Sequence, residues 1–265
     1  MRIFISADIE GTAFTTLWDE TEVGKGIYAA AAQQMTREVK AACEGAIAAG
    51  ADYILVKDAH DYAINLDIRQ LPECVEVIRG WSGSPLGMSD GVDESFDAAM
   101  FIGYHSAAGR CGNPLSHTFT TKTTSVKFNG KPCSEFLLYS YACTLRGVPT
   151  VLLAGDKMLT EDCRNLHPLL KTVAVKDGFG GSTRCVHPDK ACKLIRETAE
   201  AALKQDLSKA SIILPENCVF EVSYKEHKDA VRRSFYPGFR LVSDNTIRME
   251  TADFMDVLRA VQFVL

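Results

Sequence analysis

The chain has 265 residues, of which 46% are hydrophobic and 24% are charged, and its formal net charge at pH 7 is -5. This composition is that of a soluble globular protein with room for one large α/β domain or two smaller ones. The mild acidity without a basic stripe argues against a nucleic-acid-binding protein, and no window approaches the roughly 18 unbroken apolar residues of a membrane span.

The cysteine pattern and the N-terminal segment indicate the cell compartment. The first apolar run is short and ends in acids, so it lacks the organisation of a secretory signal. The nine cysteines are an odd number, are scattered along the chain and include no C-x-x-C spacing. We therefore expect reduced, mostly buried thiols in a cytoplasmic protein, and neither a disulfide framework nor a zinc ribbon.

The N-terminal part of the chain predicts a β-α-β unit. The apolar run at residues 3–7 is typical of a buried strand. Residues 26–49 are alanine-rich with a recurring apolar face, which predicts a helix that stops at Gly50. A second buried strand is predicted at residues 53–56. Two strands joined through a helix should be parallel, with a right-handed crossover.

The pattern of strands and helices continues to about residue 205. Asn129-Gly130 after residues 124–129 predicts a hairpin, and Ser134 predicts the cap of a helix that begins at Glu135. The glycine-rich residues 177–181 predict a loop. Further strands are predicted at residues 75–78, 96–103, 149–154 and 171–176, and further helices at residues 159–170 and 188–205. The fold class that we predict is α/β, a three-layer Rossmann-like sheet domain.

From about residue 211 the elements alternate more loosely and carry no cluster of acids and histidines. They are a strand at 219–224, a helix at 226–235, a strand or hairpin at 240–249 and a helix at 253–264. We predict two domains: residues 1–205 form an α/β metal-binding catalytic domain, and residues 206–265 form a smaller α+β subdomain. The subdomain would serve packing, substrate enclosure or assembly.

Acids and histidines follow several of the predicted strands. Asp8 and Glu10 are separated by one residue, so on an extended backbone their side chains point the same way. His60 follows the second strand and His105 follows the strand at 96–103. Because ligands of open α/β sheets bind outside the carboxyl ends of the strands, we expect these side chains to meet at one edge. Glu135 completes a candidate set of five.

The residue types of this set favour zinc. Mixed imidazole and carboxylate ligands suit Zn²⁺ better than Mg²⁺, which prefers oxygen ligands. A single catalytic zinc takes about three protein ligands and leaves a position for water, so five are too many. If one carboxylate bridges, five side chains can hold two metals roughly 3.5–4 Å apart. His117 would then be free to transfer protons or to stabilise a tetrahedral intermediate.

Each of these residues also has a simpler interpretation. Acids at a strand end can cap a helix, a histidine there can form an ordinary hydrogen bond, and Glu135 can be a first-turn acid favoured by the helix dipole. Cys111 near the site has no signature that separates a nucleophile from a plain thiol. The remaining histidines are interpreted as two loop residues and one residue on a solvated helix face, namely His167, His187 and His227.

Five sequence blocks, in order along the chain, resemble the zinc-dependent D-aminopeptidase family. They are S-A-D-I-E-G at 6–11, K-D-A-H at 57–60, F-I-G-Y-H-S at 101–106, S-H-T at 116–118 and N-G-K-P-C-S-E at 129–135. The likeness continues through V-L-L-A-G-D at 151–156 and V-A-V-K at 173–176. It covers residues 1–205 well and the remainder loosely.

The resemblance implies a function and assigns roles to the candidate residues. Family members are α/β proteins with a smaller second domain, form ring-shaped decamers and release N-terminal residues from short peptides such as D-Ala-D-Ala. Lys157 and Asp61 depart from the usual family motifs, which bears on side-chain and stereochemical preference. His117 is implied to be the catalytic histidine. The implied ligands of two zinc ions, with Asp8 as the bridge, are Asp8, Glu10, His60, His105 and Glu135.

The leading hypothesis is therefore a cytoplasmic dinuclear zinc aminopeptidase acting on short peptides, with two Zn²⁺ per chain and a ring-shaped decameric assembly. One alternative is a metal-dependent amidohydrolase with a non-peptide substrate. Another is a non-catalytic binding protein that keeps the fold and a structural metal. His117 separates the last alternative from the others, because a metal-binding module needs no unliganded histidine beside its ions.

Overall fold

The structure is a computed structural model that describes residues 1–166, 168–210 and 212–265. Its strands are β1 (Arg2–Ala7), β2 (Tyr53–Asp58), β3 (Val75–Ile78), β4 (Ala98–Tyr104), β5 (Thr123–Phe128), β6 (Lys131–Pro132), β7 (Thr150–Asp156), β8 (Lys171–Phe179), β9 (Ser182–Cys185), β10 (Cys218–Tyr224), β11 (Phe239–Ser243) and β12 (Thr246–Thr251). Its helices are α1 (Tyr28–Ala48), α2 (Glu135–Leu145), α3 (Lys157–Cys163), α4 (Pro188–Leu203), α5 (His227–Ser234) and α6 (Phe254–Val264).

The larger sheet has seven strands in the order β3-β2-β1-β4-β7-β8-β9. All neighbouring pairs are parallel except β8 and β9, which are antiparallel. The six parallel strands follow the doubly wound order, in which the chain leaves β1 first to one side and later to the other. The predicted α/β class is confirmed. This topology opens a crevice at the carboxyl ends of β1 and β4.

Helices cover both faces of this sheet. The alanine-rich α1 packs with α4 on one face, where small side chains allow the two helices to approach closely. A Cβ atom on Gly45 would lie only 2.3 Å from the carbonyl oxygen of Arg196, so this contact requires glycine. Helix α1 ends before Gly50, whose φ of +99° is a conformation that favours glycine. The other face is covered by α2 and α3.

The second sheet has five antiparallel strands in the order β11-β12-β10-β5-β6. Its strands come from residues 218–251 and also from residues 123–132, so the two sheets do not divide at the predicted boundary of 205/206. The apolar core under this sheet is continuous with the α2 face of the larger sheet, where Phe136 and Phe220 belong to one buried cluster. The division into a catalytic domain and a subdomain stays a prediction.

Two predicted elements differ from the structure. The helix predicted at residues 159–170 begins earlier, because the Asp156 carboxylate caps it by accepting the N–H of Leu159 at 2.8 Å, and it ends at Cys163. Pro168 lacks an amide hydrogen and disfavours helix around it. The loop predicted at 177–181 is a hairpin between β8 and β9, because Gly180 adopts the positive φ that a tight turn needs.

The cysteines and two of the remaining histidines agree with the sequence predictions. All nine cysteines are free thiols, and five of them are buried. His187 lies just before α4, and His227 is exposed on α5, as predicted. The prediction for His167 lies outside the described residues. In the described part of the chain, no helix is both long enough and apolar enough to cross a membrane.

Candidate metal centre

The six candidate residues converge at the carboxyl edge of the larger sheet. Asp8 and Glu10 follow β1, while His60 and His105 follow its two neighbours, β2 and β4. Glu135 is the first residue of α2, which the Ser134 side chain caps by accepting the N–H of Leu137. The sixth residue, His117, comes from the segment between β4 and β5. Five distant parts of the chain thus contribute to one buried cluster.

Asp8 lies at the centre of this cluster, between the two histidines that follow β2 and β4. Its Oδ1 is 3.3 Å from Nδ1 of His60, and that nitrogen is 3.0 Å from Oε2 of Glu10. Its Oδ2 is 3.4 Å from Nε2 of His105, and that nitrogen is 3.4 Å from Oε2 of Glu135. The two oxygens of one carboxylate therefore face two separate groups of side chains.

Backbone carbonyls fix the tautomers of both histidines. A carbonyl oxygen can only accept, so Nε2 of His60 carries the proton that it donates to the Thr21 carbonyl at 2.8 Å. In the same way Nδ1 of His105 donates to the carbonyl of Ser106 at 3.0 Å. The other ring nitrogens, which can bind a metal once they give up their protons, are the two that face Asp8. This outer support is the arrangement in which metal-ligating histidines are usually held.

Buried polar atoms without hydrogen-bond partners indicate what the cluster is built to bind. Within the described residues, Asp8 Oδ2, Glu10 Oε2 and His105 Nε2 are buried and accept or donate no hydrogen bond. Such atoms cost free energy unless a partner satisfies them. Two groups of three ligand atoms lie within 4.8 Å of one another and share Asp8, one with Glu10 and His60 and one with His105 and Glu135. The donor set therefore fits zinc.

The electrostatics of the cluster also favour a cation. Burial and the neighbouring charge of Glu10 raise the pKa of Asp8 well above its ordinary value. Burial opposes protonation of His105, yet the charge of Glu135 raises its pKa to about 10. Protons on the histidines thus compensate buried carboxylates in the protein alone. A bound divalent cation would displace those protons and take over the compensation.

His117 differs from the other two histidines of the cluster. Its Nδ1 donates to the carbonyl of Leu115 at 2.9 Å, and its Nε2 is 3.9 Å from both Oε1 of Glu10 and Oε1 of Glu135. Its ring is stacked on His105, with centroids 4.3 Å apart. Burial and the positive charge of His105 lower the pKa of His117. A neutral ring whose Nε2 faces the centre can accept or donate a proton there.

A cavity of about 900 Å³ opens onto this cluster. Trp18 and Thr21 from the segment between β1 and α1 form one wall, and Trp81 forms part of another. Trp18 contacts the His117 ring edge-on, with centroids 5.2 Å apart. No sequence pattern linked Trp18 or Thr21 to the site, because the pattern between β1 and α1 indicates only a polar loop. The cavity is large enough for a short peptide.

Sequence interpretation also missed the group that holds the Glu10 backbone. The side chain of Lys176 is buried, and its Nζ donates to the carbonyls of Glu10 and Thr15. Asn113 donates its side-chain amide to the same Glu10 carbonyl at 2.8 Å. Burial lowers the pKa of Lys176 to about 8. V-A-V-K was part of the family resemblance, but no pattern in it assigned this role to the lysine.

We expect Lys176→Met to weaken zinc binding by about 10–100-fold, the range typical of residues that orient metal ligands. Methionine fills the space but removes the lysine donor to the Thr15 carbonyl and one of the two donors to the Glu10 carbonyl. The measurement is competition for zinc against a chromogenic chelator. Lys171→Met is the matched control, because Lys171 is exposed on the same strand. Equal zinc affinity in the two variants would contradict the role assigned to Lys176.

Comparisons with known proteins agree with one another. The sequence profile of the D-aminopeptidase family, peptidase family M55, matches residues 1–263. A D-aminopeptidase of Bacillus subtilis (strain 168) is 28% identical over 264 residues, which cover 98% of this chain and 95% of that protein. A solved structure, described as the Zn-dependent D-aminopeptidase DppA from Bacillus subtilis, a self-compartmentalizing protease, matches with a TM-score of 0.90 at 25% identity. That match covers 100% of this chain and 96% of the other. The resemblance indicated by the sequence blocks is confirmed.

Proposed function

The chain belongs to the D-aminopeptidase family and is a peptidase, and from this premise we propose that it is a dinuclear zinc aminopeptidase acting on short peptides. The observation that carries the proposal is the pair of ligand groups that share Asp8. Each group supplies three donor atoms, which is the number that a catalytic zinc takes from protein. A shared carboxylate is what two neighbouring metals need as a bridge.

The proposed ligands divide between the two metals. Asp8, Glu10 and His60 would hold one zinc ion, and Asp8, His105 and Glu135 would hold the other. When bound, the zinc ions would acidify a water molecule and polarise the substrate carbonyl. The carbonyls of Thr21 and Ser106 keep the free nitrogens of His60 and His105 directed at the centre. They thus exclude the wrong tautomer and hold the ligand geometry.

His117 is proposed to move the proton. Its Nδ1 is occupied by the Leu115 carbonyl, so Nε2 is the atom that can exchange a proton with the reacting groups. The stack with His105 and the edge contact with Trp18 hold the ring in that position. A third group of possible ligands comprises Glu10, His105 and His117. We favour proton transfer, because the two groups that share Asp8 already supply three donor atoms to each metal without His117.

The proposed substrates are short peptides with D-residues, such as D-Ala-D-Ala, because both relatives are named D-aminopeptidases. The structural relative is described as self-compartmentalizing, which supports an oligomer. We propose that this chain assembles into a ring-shaped homodecamer that encloses its sites. The nine free thiols support a cytoplasmic location.

The test is hydrolysis of matched D- and L-dipeptides by zinc-loaded protein, with chelator-treated protein as the control. We expect release of the N-terminal residue, faster from D-Ala-D-Ala than from L-Ala-L-Ala, and loss of activity after chelation that zinc restores. Activity on non-peptide amides with none on peptides would favour the amidohydrolase alternative. Zinc binding without hydrolysis of any amide would favour a binding protein.

A further inference from the structure

The charged residues that line the cavity are mostly acidic. Lys225 is the only lysine or arginine among the lining residues that the structure describes. Its ammonium group forms no ion pair within the described part of the chain. The acids that line the same cavity are Asp8, Glu10, Glu22, Asp61 and Glu135. A single uncompensated cation in such a cavity is a specific partner for an anionic group of the substrate.

Lys225 is held by the same segment that contacts the metal centre. Its backbone N–H donates to the carbonyl of Lys122 at 2.8 Å, directly after β10. Three residues earlier, the backbone N–H of Phe119 donates to Oε1 of Glu135 at 2.6 Å. Thr120 and Thr121, between these two positions, line the cavity. The lysine is therefore positioned relative to Glu135 by one short backbone connection.

The length of this connection limits the size of the ligand. Three residues span at most about 11 Å when fully extended, and each residue of a bound peptide adds about 3.5 Å. Lysine also carries its charge on a flexible four-carbon stem, which can reach back along the cavity. A peptide whose scissile carbonyl lies beside Glu135 would bring its terminal carboxylate within this span if about one to three residues follow the scissile bond.

We propose that Lys225 binds the C-terminal carboxylate of the substrate and so restricts the enzyme to short peptides with a free C-terminus. This inference rests on the proposed peptidase function and adds the substrate group that sets peptide length. Lys225 touches substrate and takes no part in bond breaking. Its loss should therefore weaken substrate binding and leave the turnover of bound substrate almost unchanged.

Calorimetric binding of D-Ala-D-Ala and of its C-terminal amide tests the proposal. The measurements use zinc-loaded protein that carries His117→Ala, in which turnover is slow. We expect the free acid to bind about tenfold more tightly than the amide, the typical effect of one charge-assisted hydrogen bond. Adding Lys225→Met should weaken binding of the acid about tenfold and leave binding of the amide unchanged. Lys225→Glu should reverse the preference.

Lys228→Met is the matched control, because Lys228 is exposed nearby on α5 and does not line the cavity. It should keep the preference for the free acid. An acid-to-amide ratio that is the same with and without Lys225→Met overturns the proposal. Turnover by the protein with native His117 is measured separately on both peptides. Absence of any turnover contradicts the proposed peptidase function, while the binding ratio still decides the role of Lys225.

Discussion

Replacing His117 with alanine is expected to lower kcat by about 10²–10⁴-fold, the contribution typical of a positioned general acid or base. Zinc content should stay near two ions per chain, because the two ligand groups that share Asp8 do not include His117. The measurements are steady-state kinetics on D-Ala-D-Ala and metal analysis of the same preparations. Small changes in KM are expected, since His117 acts on the reacting groups and not on the ends of the peptide.

The control for this variant is His227→Ala, which removes an exposed imidazole on α5 that does not line the cavity. Its kcat should equal that of the unmodified protein. Two outcomes would count against the assignment of His117. Unchanged turnover would show that it transfers no proton, and loss of a zinc ion would show that it is a ligand in the group with Glu10 and His105.

Substituting Asp8→Asn is expected to reduce zinc content from about two ions per chain to well below one, because a neutral amide replaces the anion shared by both ligand groups. Activity should fall to background for the same reason. Asparagine keeps the size of the side chain, so the fold around β1 should remain. The measurements are metal analysis after dialysis and the far-ultraviolet circular dichroism spectrum.

Glu135→Gln and Asp61→Asn provide the graded comparisons for Asp8→Asn. Glu135 belongs to one of the two groups that share Asp8, so the Glu135→Gln variant should lose about one zinc ion and keep the other. Asp61 lines the cavity but belongs to no ligand group, so the Asp61→Asn variant should keep both zinc ions. If Asp8→Asn retains as much zinc as Asp61→Asn, the idea of a shared bridging carboxylate is wrong.

The larger sheet was predictable because its central strands, β2, β1, β4 and β7, are buried on both faces. Such strands appear in a sequence as short continuous apolar runs, as at Ile3–Ile5 and in β7, where all seven residues are buried. The β-α-β order then sets parallel pairing and brings the ends of β2, β1 and β4 together. The meeting of Asp8, His60 and His105 follows from that topology, because each residue stands just after its strand.

The second sheet could not be predicted in the same way. Strand β5 pairs with β10, and their partners Val126 and Val222 are almost a hundred residues apart in sequence. No local pattern indicates which antiparallel strands will pair across such a separation. A boundary at 205/206 follows composition along the chain, whereas the apolar core around Phe136 and Phe220 joins both sheets. The placement of Lys225 at the cavity depends on this pairing.

The contacts that support the metal ligands could not be predicted from the sequence either. The carbonyl of Thr21 that fixes His60, and the Lys176 ammonium that holds the Glu10 backbone, act through main-chain atoms. Main-chain acceptors carry no residue signature, so any residue type at position 21 could supply the same carbonyl. Ligand side chains can thus be found from motifs, while the groups that orient them require coordinates.

Anomalous X-ray scattering at the zinc edge from zinc-loaded crystals tests the central claim most directly. We predict two peaks roughly 3.5–4 Å apart, on either side of the Asp8 carboxylate. Glu10 and His60 should contact one of them, and His105 and Glu135 the other. A single peak, or a pair of peaks that Asp8 does not join, would contradict the two-metal account of this protein.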